Sequence, residues 1–136
     1  MSTLIDIKRL DSDAIETRMK LQIEKEEEEF QYREKRRART KYLYECVTKI
    51  VEGRIPIELK KIVESVKYSI LNKTDKINYD IESGMVFKEP MTSEERSWCV
   101  ALEISLLIVT LISILSTEGL FATIGGDGES IRVRLS

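Results

Sequence analysis

Histidine is absent from all 136 residues. That removes Ser-His-Asp and Cys-His catalysis, imidazole metal ligation and histidine-based pH switching from consideration. Cysteine is almost absent too. Cys46 and Cys99 are far apart and neither belongs to a CxxC pair, whereas a structural zinc site needs more ligands than two. Single cysteines on apolar helix faces read as core residues. So few thiols fit a reducing intracellular compartment, either nucleoid-associated cytoplasm or nucleus. Neither charge sign dominates: 22 Lys and Arg stand against 24 Asp and Glu, a net charge of −2. A protein that simply coats DNA would be basic overall. The opening segment, MSTLIDIKRLDSD, holds no apolar run of signal-peptide length.

Glycine and proline are scarce as well, with six and two in the whole chain. None falls before Gly53, so a long helix can run unbroken through the first third. Asp13 followed by Glu16 resembles a capping box, which places a helix start near residue 13. Ile15, Met19, Ile23 and Phe30 follow at spacings of four, four and seven. The element is either one very long helix or two joined near residues 36–40. Gly53 then suits a helix C-terminus and Pro56 the first turn of the next helix. That next segment, IELKKIVESVKYSI, is amphipathic: Leu59, Ile62, Val63, Val66 and Ile70 share a face.

Within the first helix, Glu26–Glu29 are four consecutive acids, and six of the nine residues 33–41 are basic. Few apolar residues lie between 24 and 41, so the segment buries little within its own chain. Glu29 and Arg33, four apart, and Glu34 and Arg37, three apart, are placed to pair along a helix. Part of the charge run is therefore self-complementary. Arg33, Arg36, Arg37, Arg39 and Lys41, with Tyr42 and Tyr44, form the candidate binding surface. Arginine forks suit acidic protein partners. The same cations could neutralise phosphates and the tyrosines stack on bases, but the adjacent acids would repel a nucleic-acid backbone. Nucleic acid is thus a weaker, secondary ligand.

Residues 72–91 hold the breakers Asn72, Asp75, Gly84 and Pro90 and read as a connector. Tyr79, Ile81, Val86 and Phe87 can pack locally there, in a short extended piece. Thr92-Ser-Glu-Glu95 is a capping box that opens a helix over about 93–117. This helix is apolar nearly all round: Trp98, Leu102, Leu106, Val109 and Ile112 on one side, Ile104, Ile108, Leu111 and Leu115 on the other. Its run from 100 to 115 is short for a membrane span and carries Glu103. It reads as a core helix whose Trp98–Ile112 face meets another subunit. The tail, LFATIGGDGESIRVRLS, makes a β-hairpin. Gly125-Gly126-Asp127-Gly128 is its turn: no helix N-terminus follows to hold phosphate, and Asp127 and Glu129 are too few for calcium. No metal, cofactor or catalytic constellation emerges, and the chain reads as non-enzymatic.

Three features resemble the GINS replication scaffold, in its archaeal type with the helical domain first. One is RRARTKYLYECVTKIVEGR, residues 36–54, an Arg-rich helix running into an aromatic and aliphatic stretch. Another is MTSEE, residues 91–95, the capped start of a last core helix. The third is the order of helices before a small β piece. The resemblance covers roughly residues 36–118 and departs at the tail, since the family's β domain is far longer than residues 119–136 allow. It implies a multi-subunit scaffold whose partners are a second GINS-like subunit, the replicative MCM helicase and a RecJ-like protein. The long charged helix would be a surface shared between subunits.

A winged-helix DNA-binding regulator is the alternative, with the C-terminal hairpin as its wing. Such folds need polar side chains on the reading helix, and residues 98–115 show almost none. A viral or phage helical structural protein fits the same patterns. The expected fold is mainly α: a helical bundle over residues 1–118 with a long N-terminal helix, then a short β-hairpin over 119–136. The chain is expected to be a homo- or hetero-oligomer without a membrane partner.

Overall fold

The computed structural model describes residues 2–135, and their side chains from Leu4 onward. Helix α1 spans Ser2–Leu71, strand β1 Lys76–Asp80, helix α2 Ser93–Thr117, strand β2 Phe121–Ile124 and strand β3 Ser130–Arg134. The mainly helical architecture with a long N-terminal helix is as expected. The chain divides into two compact units, one ending at Tyr42 and the other beginning at Leu43.

The first unit is helix throughout its described length. It begins at Ser2 rather than at residue 13. Asp13 does not cap: its carbonyl accepts the Thr17 hydroxyl at 2.9 Å, a contact made inside a continuing helix. Glu16–Lys20 and Glu34–Arg37 pair along the surface at 3.7 and 3.4 Å. Such pairs add a few tenths of a kcal/mol each, about 0.2–0.5.

In the second unit, α1 passes straight through Gly53 and Pro56, where a break was expected. Proline in a helix interior removes one backbone hydrogen bond and costs about 3 kcal/mol. Here packing on both sides outweighs that cost. Leu43, Val47 and Val51 before the proline, and Ile62 and Val66 after it, all enter one buried cluster. The helix ends with Lys73 in the left-handed region, φ 56°. Thr74 N–H donates to Ser69 C=O at 2.9 Å and Lys73 N–H to Ile70 C=O at 3.2 Å, a Schellman arrangement built without glycine.

Helix α2 starts as the sequence indicates. Thr92 Oγ1 accepts from Glu95 N–H at 3.1 Å and Glu95 Oε1 accepts from Thr92 N–H at 3.1 Å. It buries Cys99, Glu103, Leu107, Ile108, Leu111 and Leu115. By length and composition this helix could also cross a membrane, with a third of its apolar window buried. It ends in a second Schellman arrangement, with Gly119 at φ 87° and Leu120 N–H donating to Leu115 C=O.

The expected hairpin is β2–β3, and a third strand joins it. The sheet order is β1-β3-β2, both pairings antiparallel. β3 is central and alternates: Ile131 and Val133 point into the core, Arg132 and Arg134 out. Across the outer face Arg132 donates to Asn78 at 3.3 Å and Arg134 lies over the Phe121 ring at 5.7 Å. Ile81, in the expected connector, is buried and its N–H donates to Glu129 C=O at 2.8 Å. Phe87 is half-buried beneath Arg96, while Val86 is exposed.

Candidate protein-interaction surfaces

Every side chain from Leu4 to Ala38 is exposed. That includes Ile15, Met19, Ile23 and Phe30, of which Met19 and Ile23 are more than three-fifths exposed. Apolar side chains in this state leave tens of Å² each in water, at about 25 cal/mol per Å². The spacing of four and seven places these four on one side of the helix. Arg33, Arg37 and Lys41, four apart, continue that side, with Arg36 at its edge. Arg39 lies away from them, half-buried, with its guanidinium 5.7 Å above the Tyr42 ring. Arg33, Arg36, Arg37, Lys41 and Tyr42 are all exposed. Tyr44, also exposed, belongs to the second unit.

The second unit carries its own outward apolar face on α2. Trp98 and Val109 are exposed, while Leu102, Leu106 and Ile112 are half-buried and pack on the core with their inner edges. Ala101, Ser105 and Ser113 are exposed between them. The opposite side, with Ile108, Leu111 and Leu115, is the core side.

A buried polar cluster behind that face escaped the sequence reading. Glu103 is fully buried in the middle of α2. Its carboxylate accepts from the Arg54 guanidinium at 3.0 Å, the Ser83 hydroxyl at 2.7 Å, and Gly84 N–H at 3.1 and 3.2 Å. Arg54 also donates to Glu58 at 3.0 Å and to the Glu82 carbonyl at 2.8 Å. Glu58 in turn accepts from the Tyr79 hydroxyl at 2.5 Å. One guanidinium thus joins α1, α2 and the loop after β1, and Glu58 links it to β1 through Tyr79. Burial opposes ionisation of Glu58, but the bonds from Tyr79 and Arg54 outweigh it and hold the carboxyl below its usual range. Burial and the bond to Glu58 keep the Tyr79 phenol protonated well above its usual range. For Arg54 burial works against the charge, and the two carboxylates more than restore it. Among the described residues no buried side-chain nitrogen or oxygen lacks a partner. A satisfied cluster of this kind fixes how the elements meet. The signal that could have revealed it is Glu103 itself, a lone acid in an apolar helix that requires a cation.

In the 125–128 turn, Asp127 accepts from Glu129 N–H at 3.0 Å and the Ser130 hydroxyl at 2.8 Å. These bonds pull the Asp127 carboxyl below its usual range. Its oxygen therefore closes the turn. Among the described residues no group of three or more His, Cys, Asp or Glu side chains is placed to hold a metal ion.

Comparison of the chain with protein-family models, with curated proteins and with solved structures returns no match.

Proposed function

We propose that this chain is a non-enzymatic assembly subunit that engages partner proteins through its N-terminal helix. One observation carries the reading: Ile15, Met19, Ile23 and Phe30 stand in water on the side continued by Arg33, Arg37 and Lys41. Isolated helices are marginal in water, and most helical stability in proteins comes from packing an apolar face. A helix with such a stripe is suited to a partner's groove or to another helix. The arginines beside the stripe favour an acidic partner surface. The outward face of α2 is a second, separate surface for a subunit contact.

A narrower form of the proposal is a scaffold in DNA replication, bridging an MCM helicase, a RecJ-like protein and a second GINS-like subunit. It rests on the resemblance of residues 36–54 and 91–95. The groove-reading alternative is disfavoured by α2, whose exposed Trp98, Ala101, Ser105 and Val109 carry no charge. The test is affinity capture of the tagged full chain from its source cells at moderate salt with nuclease present. Recovery of a replicative helicase with a second helical subunit supports the narrower form. Loss of every partner under nuclease would instead make nucleic acid the ligand.

A further inference from the structure

Over residues 4–42 helix α1 has another side, and its charge order points to its occupant. Glu28, Tyr32, Lys35 and Arg39 recur at intervals of four, three and four, so they line one face of α1. Glu29 and Arg36 flank that line. Ile7, Leu10 and Leu21 continue it toward the N-terminus and are exposed. Phe30, Arg33 and Arg37 lie on the opposite side. Open grooves run on both sides of the exposed Tyr32, and Glu28 borders each.

We infer that this face pairs with the same face of a second copy of the chain, the two helices running antiparallel. The inference rests on the reading of the N-terminal helix as an assembly element. Its basis is charge complementarity. Glu28 and Arg39, and likewise Tyr32 and Lys35, are centred on one point, between Arg33 and Glu34. A two-fold axis through that point sets each residue opposite its counterpart in the other copy. Every match is then made twice, as an isologous interface requires. Glu28 meets Arg39 at each end, and the lysine ammonium meets the Tyr32 ring at the centre. A parallel, in-register pair would oppose Glu28 to Glu28 and Arg39 to Arg39 instead. A nucleic-acid strand along this face would meet Glu28 and Glu29 as well as the cations. Acid and base blocks in sequence are what an antiparallel copy of the same helix needs.

Sedimentation equilibrium of the full chain at micromolar concentration tests the pairing. At 0.1 M NaCl the mass should be that of two chains rather than one of 15.8 kDa. The dissociation constant should rise at least about tenfold at 0.5 M NaCl, since exposed charges are screened. Glu28→Lys should dissociate the pair, and so should Arg39→Glu. Mixing the two variants in equal amounts should restore a dimer, because each reversed charge then meets its opposite. Rescue by mixing also shows that neither variant is merely misfolded. A monomeric wild type, charge-reversed variants that stay dimeric, failure of the mixture to pair, or tightening with salt would each overturn the inference. Capture of other proteins through the Phe30 side is a separate readout, so its loss and the loss of self-pairing are distinguishable.

Discussion

Arg54 and Glu103 lie 49 residues apart in sequence and meet at 3.0 Å, the carboxylate fully buried and the guanidinium mostly so. Breaking a buried pair by removing one partner costs about 3–5 kcal/mol, because the other charge is left uncompensated. Arg54→Ala should therefore lower stability by about that amount in chemical denaturation. Glu103→Gln should cost less: its amide oxygen still accepts from Ser83 and Gly84, and Arg54 keeps Glu58. Arg54→Lys should fall between, since one ammonium cannot reproduce a fork shared by two carboxylates and a carbonyl. Equal effects of Arg54→Ala and Arg54→Lys would show that the fork is unimportant.

The same cluster sets a pH dependence. Glu58 has its folded pKa below the ordinary 4.5. Its contribution is therefore present above that value and is lost as the pH falls through and below it. Tyr79 has its folded pKa raised from the ordinary 10. Its contribution is intact below pH 10 and lost as the pH rises beyond it. Tyr79→Phe removes a bond to a charged group, worth about 1.5–3 kcal/mol. It should also move the acid-side loss of Tm to higher pH and flatten the alkaline one. Thermal melts from pH 3 to 11 on both proteins check this. Parallel Tm curves would contradict the assigned bond.

Helix α1 closes with Lys73 at φ 56°, a conformation glycine adopts without steric cost. Lys73→Gly should raise stability by a few tenths to about 1 kcal/mol. Gly119→Ala, at φ 87° after α2, should lower it by about 1 kcal/mol. The two substitutions thus have opposite signs at equivalent caps, measurable as opposite shifts in denaturation midpoint.

Gly125 is buried at the base of the hairpin turn, where an added Cβ would fall 1.9 Å from Ser130 Oγ. That hydroxyl cannot swing away freely, because it donates to Asp127 at 2.8 Å. Gly125→Ala should cost about 1–3 kcal/mol, the range for overpacking a fixed site. Gly126→Ala, whose Cβ would meet nothing within 4 Å, is the control. It should change stability much less in the same denaturation series.

Local chemistry was legible where the bonds that decide it are local. Thr92 and Glu95 announce α2, and the Gly125–Gly128 run announces the hairpin, because each is settled within four residues. The strand KINYD lies inside the connector expected over residues 72–91 and is not legible as a strand, since its partner β3 lies 54 residues away. The passage of α1 through Gly53 and Pro56 was illegible for a related reason. Both residues argue locally for a stop, and only the shared core of Val47, Val51, Ile62 and Val66 overrides them. The basic run from Arg33 to Lys41 was visible at once. What it faces was not, because side chains exposed along the helix, as all are from Leu4 to Ala38, meet surfaces this sequence does not encode.

The central claim is that the N-terminal helix holds partner proteins by its exposed apolar side. The most direct measurement compares proteins captured by the tagged wild-type chain with those captured by an Ile23→Glu, Phe30→Glu variant under nuclease. Both positions are solvent-exposed, so the fold of residues 43–135 should melt unchanged. The account predicts at least about a tenfold loss of the captured partners, equivalent to about 1.4 kcal/mol or more. Undiminished capture by the folded variant would contradict it.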